Sequence, residues 1–287
     1  MTLIIQIITS SIYVKGFARI LYKFRNFFKS NDSNYKIPGK LRMNLNLDDY
    51  FENSILWGFY ESQVRESIKS NIKKDSIFID IGANIGFFTN YGASLVGSKG
   101  YVYSYEPNPE CVDRIRKNLE LNKFKNAKIV NKALSDSVEK KKFYVGKQHA
   151  LSSLHEGSEL MELDKTITVQ VSTLDTEIQT LKIKPENISL IKIDVEGHEF
   201  NVFQGMTGLL EYKPTIIFEN NPLAMKECGY SLIDIWKNFI QGTDYDLYYL
   251  NSKKNSTLFS FYKVNKILLD KNNINEYADK PGDILCV

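Results

Sequence analysis

The sequence predicts an α/β fold: a mostly parallel sheet with helices on both faces. Two observations carry this. Short β-branched and aromatic runs recur along the chain with helical stretches between them, the pattern of repeated strand–helix–strand units. The chain also has 287 residues, 43% of them hydrophobic. That is enough for one large domain with an appendage.

Residues 1–45 read as an N-terminal amphipathic helical segment with a linker, and 46–287 as the main domain. "MTLIIQIITSSIYV" is apolar and uncharged up to Lys15. It is shorter than the roughly 18 residues a spanning helix needs, and it lacks the leading positive charge of a secretory signal. In "KGFARILYKFRNFFK", Phe17, Ile20, Leu21, Phe24, Phe27 and Phe28 fall at helical spacing among Lys and Arg. A basic amphipathic helix of this kind can lie on a membrane surface. Residues 1–28 are thus a candidate for peripheral membrane contact, although packing on the protein itself or on a second copy is the preferred reading. "KSNDSNYKIPGK", residues 29–40, is polar, contains Pro38 and Gly39, and reads as a linker.

The main domain follows in order. "SIFIDI" (76–81) is a buried strand. A helix runs on to Val96 and "GSKG" ends it. "YVYSYE" (101–106) is the second strand. Asn108 caps the next helix, Pro109 takes its first position, Glu110 favours its positive end, and Val112, Ile115 and Leu119 mark its buried face. "AKIVNKAL" (127–134), "LIKID" (190–194) and "TIIFE" (215–219) are the third, fourth and fifth strands, and "YDLYYL" (245–250) and "ILCV" (283–286) close the set. "KKFYVG" and "TITVQVSTLD", with no long helix between them, form a small β insertion.

Charge is nearly balanced, 37 Lys+Arg against 34 Asp+Glu, which argues against a dedicated nucleic-acid binder. Cys111, Cys228 and Cys286 are odd in number and far apart. They offer neither metal spacing nor a disulfide framework, so a reducing cytoplasm is the simplest location.

The turn after the first strand, "IFIDIGANIGFFT", carries the first functional signal. Ligands on open α/β sheets sit beyond the carboxyl ends of the strands. Gly82 and Gly86 lie there in a GxxxG spacing, with Asn84 where a pyrophosphate turn wants glycine, which disfavours NAD. Glu106 ends the second strand, 24 residues after Gly82, the place of a ribose-binding acid. Asp80 ends the first strand and can face a cationic group. A ligand with ribose, adenine, ammonium and sulfonium but no pyrophosphate satisfies these features, and that ligand is S-adenosylmethionine.

"FIDIGANIGFFT", "YEPNP", "NKALSD", "TLDT", "IKIDVEGHE" and "PTIIFENN", in this order, resemble the FkbM family of S-adenosylmethionine-dependent methyltransferases over about residues 56–287. The first motif says only class I (Rossmann-like) methyltransferase; the "IKIDVEG" block makes the resemblance specific. It implies a seven-stranded sheet with the last strand antiparallel, and O-methylation, often of sugars or polyketide-like products. It also implies that Asp80, Gly82, Asn84 and Gly86 line the methionine and ribose side, that Glu106 takes the ribose hydroxyls, and that Asn108 and the backbone of Ala133 and Leu134 lie near the adenine.

Methyl transfer from a sulfonium needs a nucleophile held in line and its proton removed. The ends of the fourth and fifth strands, "DVEGHE" and "ENN", supply candidates: Asp194 first, then Glu196, then His198, with Glu219 beside them. Asp194, Glu219 and Asn220 also suit Mg²⁺, an arrangement similar to catechol-type O-methyltransferases. Ser152 and Ser153 in "HALSSLHEG" could lid the acceptor pocket, while His149 and His155 read as loop residues. The rivals are an NAD-dependent oxidoreductase on the same sheet and a non-catalytic adaptor. N-methylation is disfavoured because "DVEG" stands where Asn or Asp followed by Pro-Pro-Tyr would be.

Overall fold

The computed structural model describes residues 6, 12–14, 16–148, 151–252, 259–261 and 264–287. Most of the apolar run up to Lys15, and His149, therefore lie outside the described residues. The parallel core of the sheet is formed by β1 (Ile77–Ile81), β2 (Tyr101–Tyr105), β3 (Ala127–Val130), β4 (Ile188–Ile193) and β5 (Thr215–Asn220). β6 (Leu247–Ser252), β7 (Val264–Leu269) and β8 (Gly282–Cys286) complete it in the spatial order β7-β6-β8-β5-β4-β1-β2-β3. The strands from β5 to β3 are mutually parallel, and β8 runs antiparallel between β5 and β6.

The α/β class and the antiparallel last strand are as expected. Among the described residues, however, the sheet has eight strands rather than seven, because β7 pairs antiparallel along the outer edge of β6. Two further expectations need correction. "AKIVNKAL" is two strands, not one: β3 stops at Val130, and Ala133–Leu134 joins the insertion sheet beside Ser172. The break falls at Asn131, whose amide donates to the carbonyls of Glu106 and Pro107. The presumed linker is also structured. Asn34–Ile37 and Leu41–Asn44 pair as a hairpin, and Tyr35, Ile37, Leu41 and Met43 alternate into the core. The turn chemistry of Pro38 and Gly39 was legible; the flanking alternation outweighs the polar composition.

The basic aromatic stretch is a seven-residue helix, α1 (Phe17–Lys23), followed by a 3₁₀ turn at Arg25–Phe28. Leu21 is buried and Phe28 meets Trp57 edge-on at 4.8 Å, while Ile20, Phe24 and Phe27 are exposed. Among the described residues, no helix is long and apolar enough to cross a membrane. α2 (Tyr50–Trp57) starts on an Asp49 cap and α3 (Ser62–Asn71) follows. α4 (Phe87–Val96) and α5 (Pro109–Leu121) follow β1 and β2. Arg114 of α5 holds Glu52 of α2 through two bonds of 2.6 Å each, and donates to the carbonyl of Asn44. This fork fastens the N-terminal elements to the sheet layer.

Successive strand residues face opposite sides, and the two cores show it. Ile79, Ile81, Ile191, Ile193 and Phe218 face one side; Phe78, Val102, Leu190 and Ile217 face the other, under α3 and α4. The insertion is confirmed as a small sheet: Glu139–Gly146 pairs antiparallel with Leu163–Ser172.

Candidate active site

A cavity of about 320 Å³ opens at the carboxyl ends of β1, β2, β4 and β5. Its floor is the turn after β1. The N–H groups of Gly82 and Ala83 both donate to the Tyr105 carbonyl at 3.1 Å, and Asn84 adopts a left-handed backbone (φ 49°). That orients the Asn84 N–H toward Glu106, whose Oε2 accepts it at 2.8 Å, while Oε1 accepts the Asn108 N–H at 2.8 Å. Glu106 is therefore gripped by two loops before any ligand arrives. Burial pushes its carboxyl up to about 7, against the lowering effect of the two N–H donors.

Gly82 has a different reason for being glycine from the one its position suggests. At φ 75°, a Cβ on it would lie 1.7 Å from the Asp194 carbonyl oxygen. The exits of β1 and β4 cross here, and only a missing side chain lets them. Gly86 ends the turn against Ile115 of α5 and does not line the cavity.

Asp80 does not reach the ligand space. It has no exposed surface and is not among the cavity's lining residues. Its Oδ2 accepts from Thr89 at 2.6 Å, and Oδ1 lies 4.0 Å from the ammonium of Lys192. Strand alternation is the cause: Asp80 shares a face with Phe78 and points under α4, in register with Lys192 on β4 and Ser104 on β2. Asn108 is likewise buried. It caps α5 by accepting the Glu110 N–H and stands behind Glu106 rather than on the wall. Gly82, Asn84, Glu106, Ala133 and Leu134 do line the cavity.

The opposite wall comes from β4 and β5. Asp194, Glu196, His198 and Glu219 all line the cavity. Asp194, Glu196 and Glu219 each offer an oxygen, all within 4.8 Å of one another. Asn220 does not join them: its buried amide donates to the carbonyls of Tyr277, Ala278 and Lys280 and ties down the approach to β8. A metal here would use Glu196 in its place. Glu196 reaches this position through a left-handed backbone (φ 54°). Burial and then the charge of Asp194 raise the carboxyls of both Glu196 and Glu219 well above the usual range. His198 opens α6 (Glu199–Gln204). Burial, with Lys141 next, lowers its imidazole to about 4, so it is neutral at physiological pH but a weak base.

Several site residues carried no motif signal. Lys192, on the buried strand β4, sits 2.9 Å from Asp194 Oδ2 and 5.2 Å from the Phe88 ring centre. A lysine inside "LIKID" is the one hint the sequence gave. Glu61, capping α3 with a left-handed backbone (φ 37°), lines the same cavity. Burial and then Asp194 push its carboxyl up to about 8. Tyr60 lines the wall beside it. The insertion roofs the cavity with Phe143, Leu151, Ser152 and Leu154, and Ser153 donates to the Glu196 carbonyl at 3.1 Å.

The model of the methyltransferase FkbM domain matches residues 80–247. Among individual proteins, the chain is 26% identical over 160 residues to the hexuronic acid methyltransferase AglP of Haloferax volcanii, covering 55% of this chain and 62% of that one. Over 52 residues it is 36% identical to a protein-L-isoaspartate O-methyltransferase of Methanothrix thermoacetophila, covering 18% of this chain and 25% of that one. The crystal structure of an O-methyltransferase from Bacillus cereus in complex with SAH aligns at 13% identity and a TM-score of 0.40, over 78% of each chain. That is too loose a correspondence to carry weight. The family match spans more than half of the sequence, and the chain belongs to the methyltransferase FkbM domain family.

Proposed function

We propose that this chain is an O-methyltransferase that uses S-adenosylmethionine and acts on a hydroxyl of a glycan, a glycan precursor or a secondary metabolite. One observation carries the reading. A single cavity joins the Gly82–Ile85 turn and Glu106 to the carboxylates Asp194, Glu196 and Glu219, so donor-binding and proton-accepting groups share one space. When bound, S-adenosylmethionine would supply an activated methyl group on a good leaving group.

The chain's own residues then have separable tasks. Glu106, pre-oriented by two backbone N–H groups, accepts hydrogen bonds from paired hydroxyls. The excess of carboxyl groups over the two ammonium groups on the cavity wall, Lys132 and Lys192, favours a cationic ligand. Asp194, held by Lys192 at 2.9 Å, is positioned to orient an acceptor hydroxyl and take its proton. His198, half-buried and neutral, lines the same cavity as a second acceptor. The relative named as a hexuronic acid methyltransferase supports a sugar acceptor.

Asp194, Glu196 and Glu219 also form an all-oxygen set suited to Mg²⁺, which would acidify and orient a hydroxyl. Lys192 already places positive charge on Asp194, so the ion is a supplement to this reading rather than its basis.

The test is a labelled-methyl screen over saccharide acceptors, with Mg²⁺ and with chelator, alongside calorimetric titrations of S-adenosylmethionine and NAD. Methyl incorporation and S-adenosylmethionine binding are expected. Tight NAD binding with no response to S-adenosylmethionine would establish the oxidoreductase instead, and binding of neither would leave an adaptor.

A further inference from the structure

The apolar side chains of α1 and of the 3₁₀ turn after it divide into two groups. Phe17, Leu21 and Phe28 pack on the core beneath them. Ile20, Phe24 and Phe27 do not: they are 50%, 53% and 82% exposed. Ile20 and Phe24 are four apart and share a face, and the Phe24 and Phe27 ring centres lie 6.1 Å from each other. Large apolar side chains scattered singly over a surface are ordinary, whereas a contiguous group of them marks an interaction site.

The charge around this group is of one sign. The first acid in the chain is Asp32, and five cations precede it: Lys15, Arg19, Lys23, Arg25 and Lys29. Arg19 and Lys23 are exposed and lie four apart along the edge of the apolar group. Arg25 and Lys29 share a single carboxylate, Asp48, at 2.9 and 2.7 Å, so even that pairing leaves positive charge in excess. A two-fold contact with a second copy would set this stripe against itself and oppose like charges. An anionic lipid surface satisfies both parts at once, because its headgroups meet the cations and its acyl boundary receives the apolar side chains. With no helix among the described residues able to cross a membrane, the contact is with the surface.

We propose that Ile20, Phe24 and Phe27, edged by Arg19 and Lys23, form a docking face for an anionic bilayer surface. The proposal goes beyond the methyltransferase reading and does not depend on it. The face has a fixed relation to the main cavity. The Tyr22 hydroxyl donates to the Asp48 carbonyl at 2.6 Å, and its ring meets Tyr50 edge-on at 5.3 Å. The neighbouring Asp49 and Phe51 line the cavity. Docking through α1 therefore holds the α2 wall of the cavity close to the lipid.

The experiment is flotation of the full-length protein with vesicles of equal parts phosphatidylcholine and phosphatidylglycerol, and with vesicles of phosphatidylcholine alone. The protein should float with the anionic vesicles, bind the neutral ones at least tenfold more weakly, and detach as salt is raised. Arg19→Glu with Lys23→Glu, and separately Phe24→Ser with Phe27→Ser, should each weaken binding to the anionic vesicles at least tenfold. All four side chains are exposed, and an unchanged thermal midpoint checks that the variants fold. Phe27→Trp reads the depth directly: its added emission should be quenched by lipids brominated on their acyl chains. No flotation, equal binding to both vesicle types, undiminished binding by the Phe24→Ser, Phe27→Ser pair, or no quenching would overturn the proposal. A concentration-dependent dimer, seen by sedimentation and dissolved by the same pair of substitutions, would give the face to a second copy and overturn it as well.

Discussion

At the scale of single residues, the site divides into groups that meet ligand space and groups that hold them there. Glu106 does both, because its oxygens already accept the Asn84 and Asn108 N–H groups. Glu106→Gln should therefore weaken S-adenosylmethionine about ten- to a hundred-fold, the worth of roughly 1.5–3 kcal/mol for a charge-assisted hydrogen bond. Calorimetry would show this directly, and an unchanged Kd would remove Glu106 from the donor site. Asp194→Asn should leave that Kd within a few-fold and cut kcat about a hundred-fold or more, the usual loss when a positioned base is removed. A change in cofactor affinity with turnover intact would reverse that division of roles. Asp80 illustrates what a motif conceals. Its place in "FIDIGANIG" suggests direct contact with ligand, yet strand alternation turns it under α4 to pair with Thr89 and Lys192. Its influence on the cavity runs through Lys192.

At the scale of elements, the crossing of the β1 and β4 exits is the tightest constraint on the site. Because a Cβ at Gly82 would overlap the Asp194 carbonyl, Gly82→Ala should displace both the glycine turn and Asp194. It should cost about 3 kcal/mol or more, since the new atom meets backbone rather than a yielding side chain. A chemical denaturation series would register the loss; a variant as stable as the parent would show that the two exits can separate. The sequence spacing correctly put a functional turn here. It could not say that glycine serves chain crossing before ligand approach, because the clash is with residues more than a hundred positions away. The hairpin at residues 34–44 was missed for a related reason: its Tyr35, Ile37, Leu41 and Met43 stripe has meaning only against a core contributed by distant helices.

At the scale of the whole molecule, the fold gathers acids from several elements. Glu61, Glu106, Glu199 and Asp283 are raised to about 8, 7, 7 and 6 respectively, chiefly by burial. A carboxyl whose folded pKa exceeds its unfolded one binds more protons in the folded state. Its contribution to stability is complete below about 4.5 and is lost as pH rises through the folded value. The ligand-free protein should thus melt several degrees lower at pH 8.5 than at pH 6.5, and S-adenosylmethionine, a cation, should recover part of the difference. Scanning calorimetry at the two pH values decides it; a flat profile would mean that the cluster is solvated rather than buried.

The sequence by itself determined the α/β class, the position of the glycine turn, the acid at the end of β2 and the acidic exits of β4 and β5. All of these are written in local periodicity and short motifs, where the physics is confined to neighbouring residues. Only the tertiary structure decided that Asp80 is a buried support, that Asn220 is a clamp, and that Glu61 and Lys192 line the cavity. Those assignments depend on strand order and register, which bring together side chains from both ends of the chain. No spacing within any one segment encodes that meeting, because it is fixed by how separate strands share a sheet.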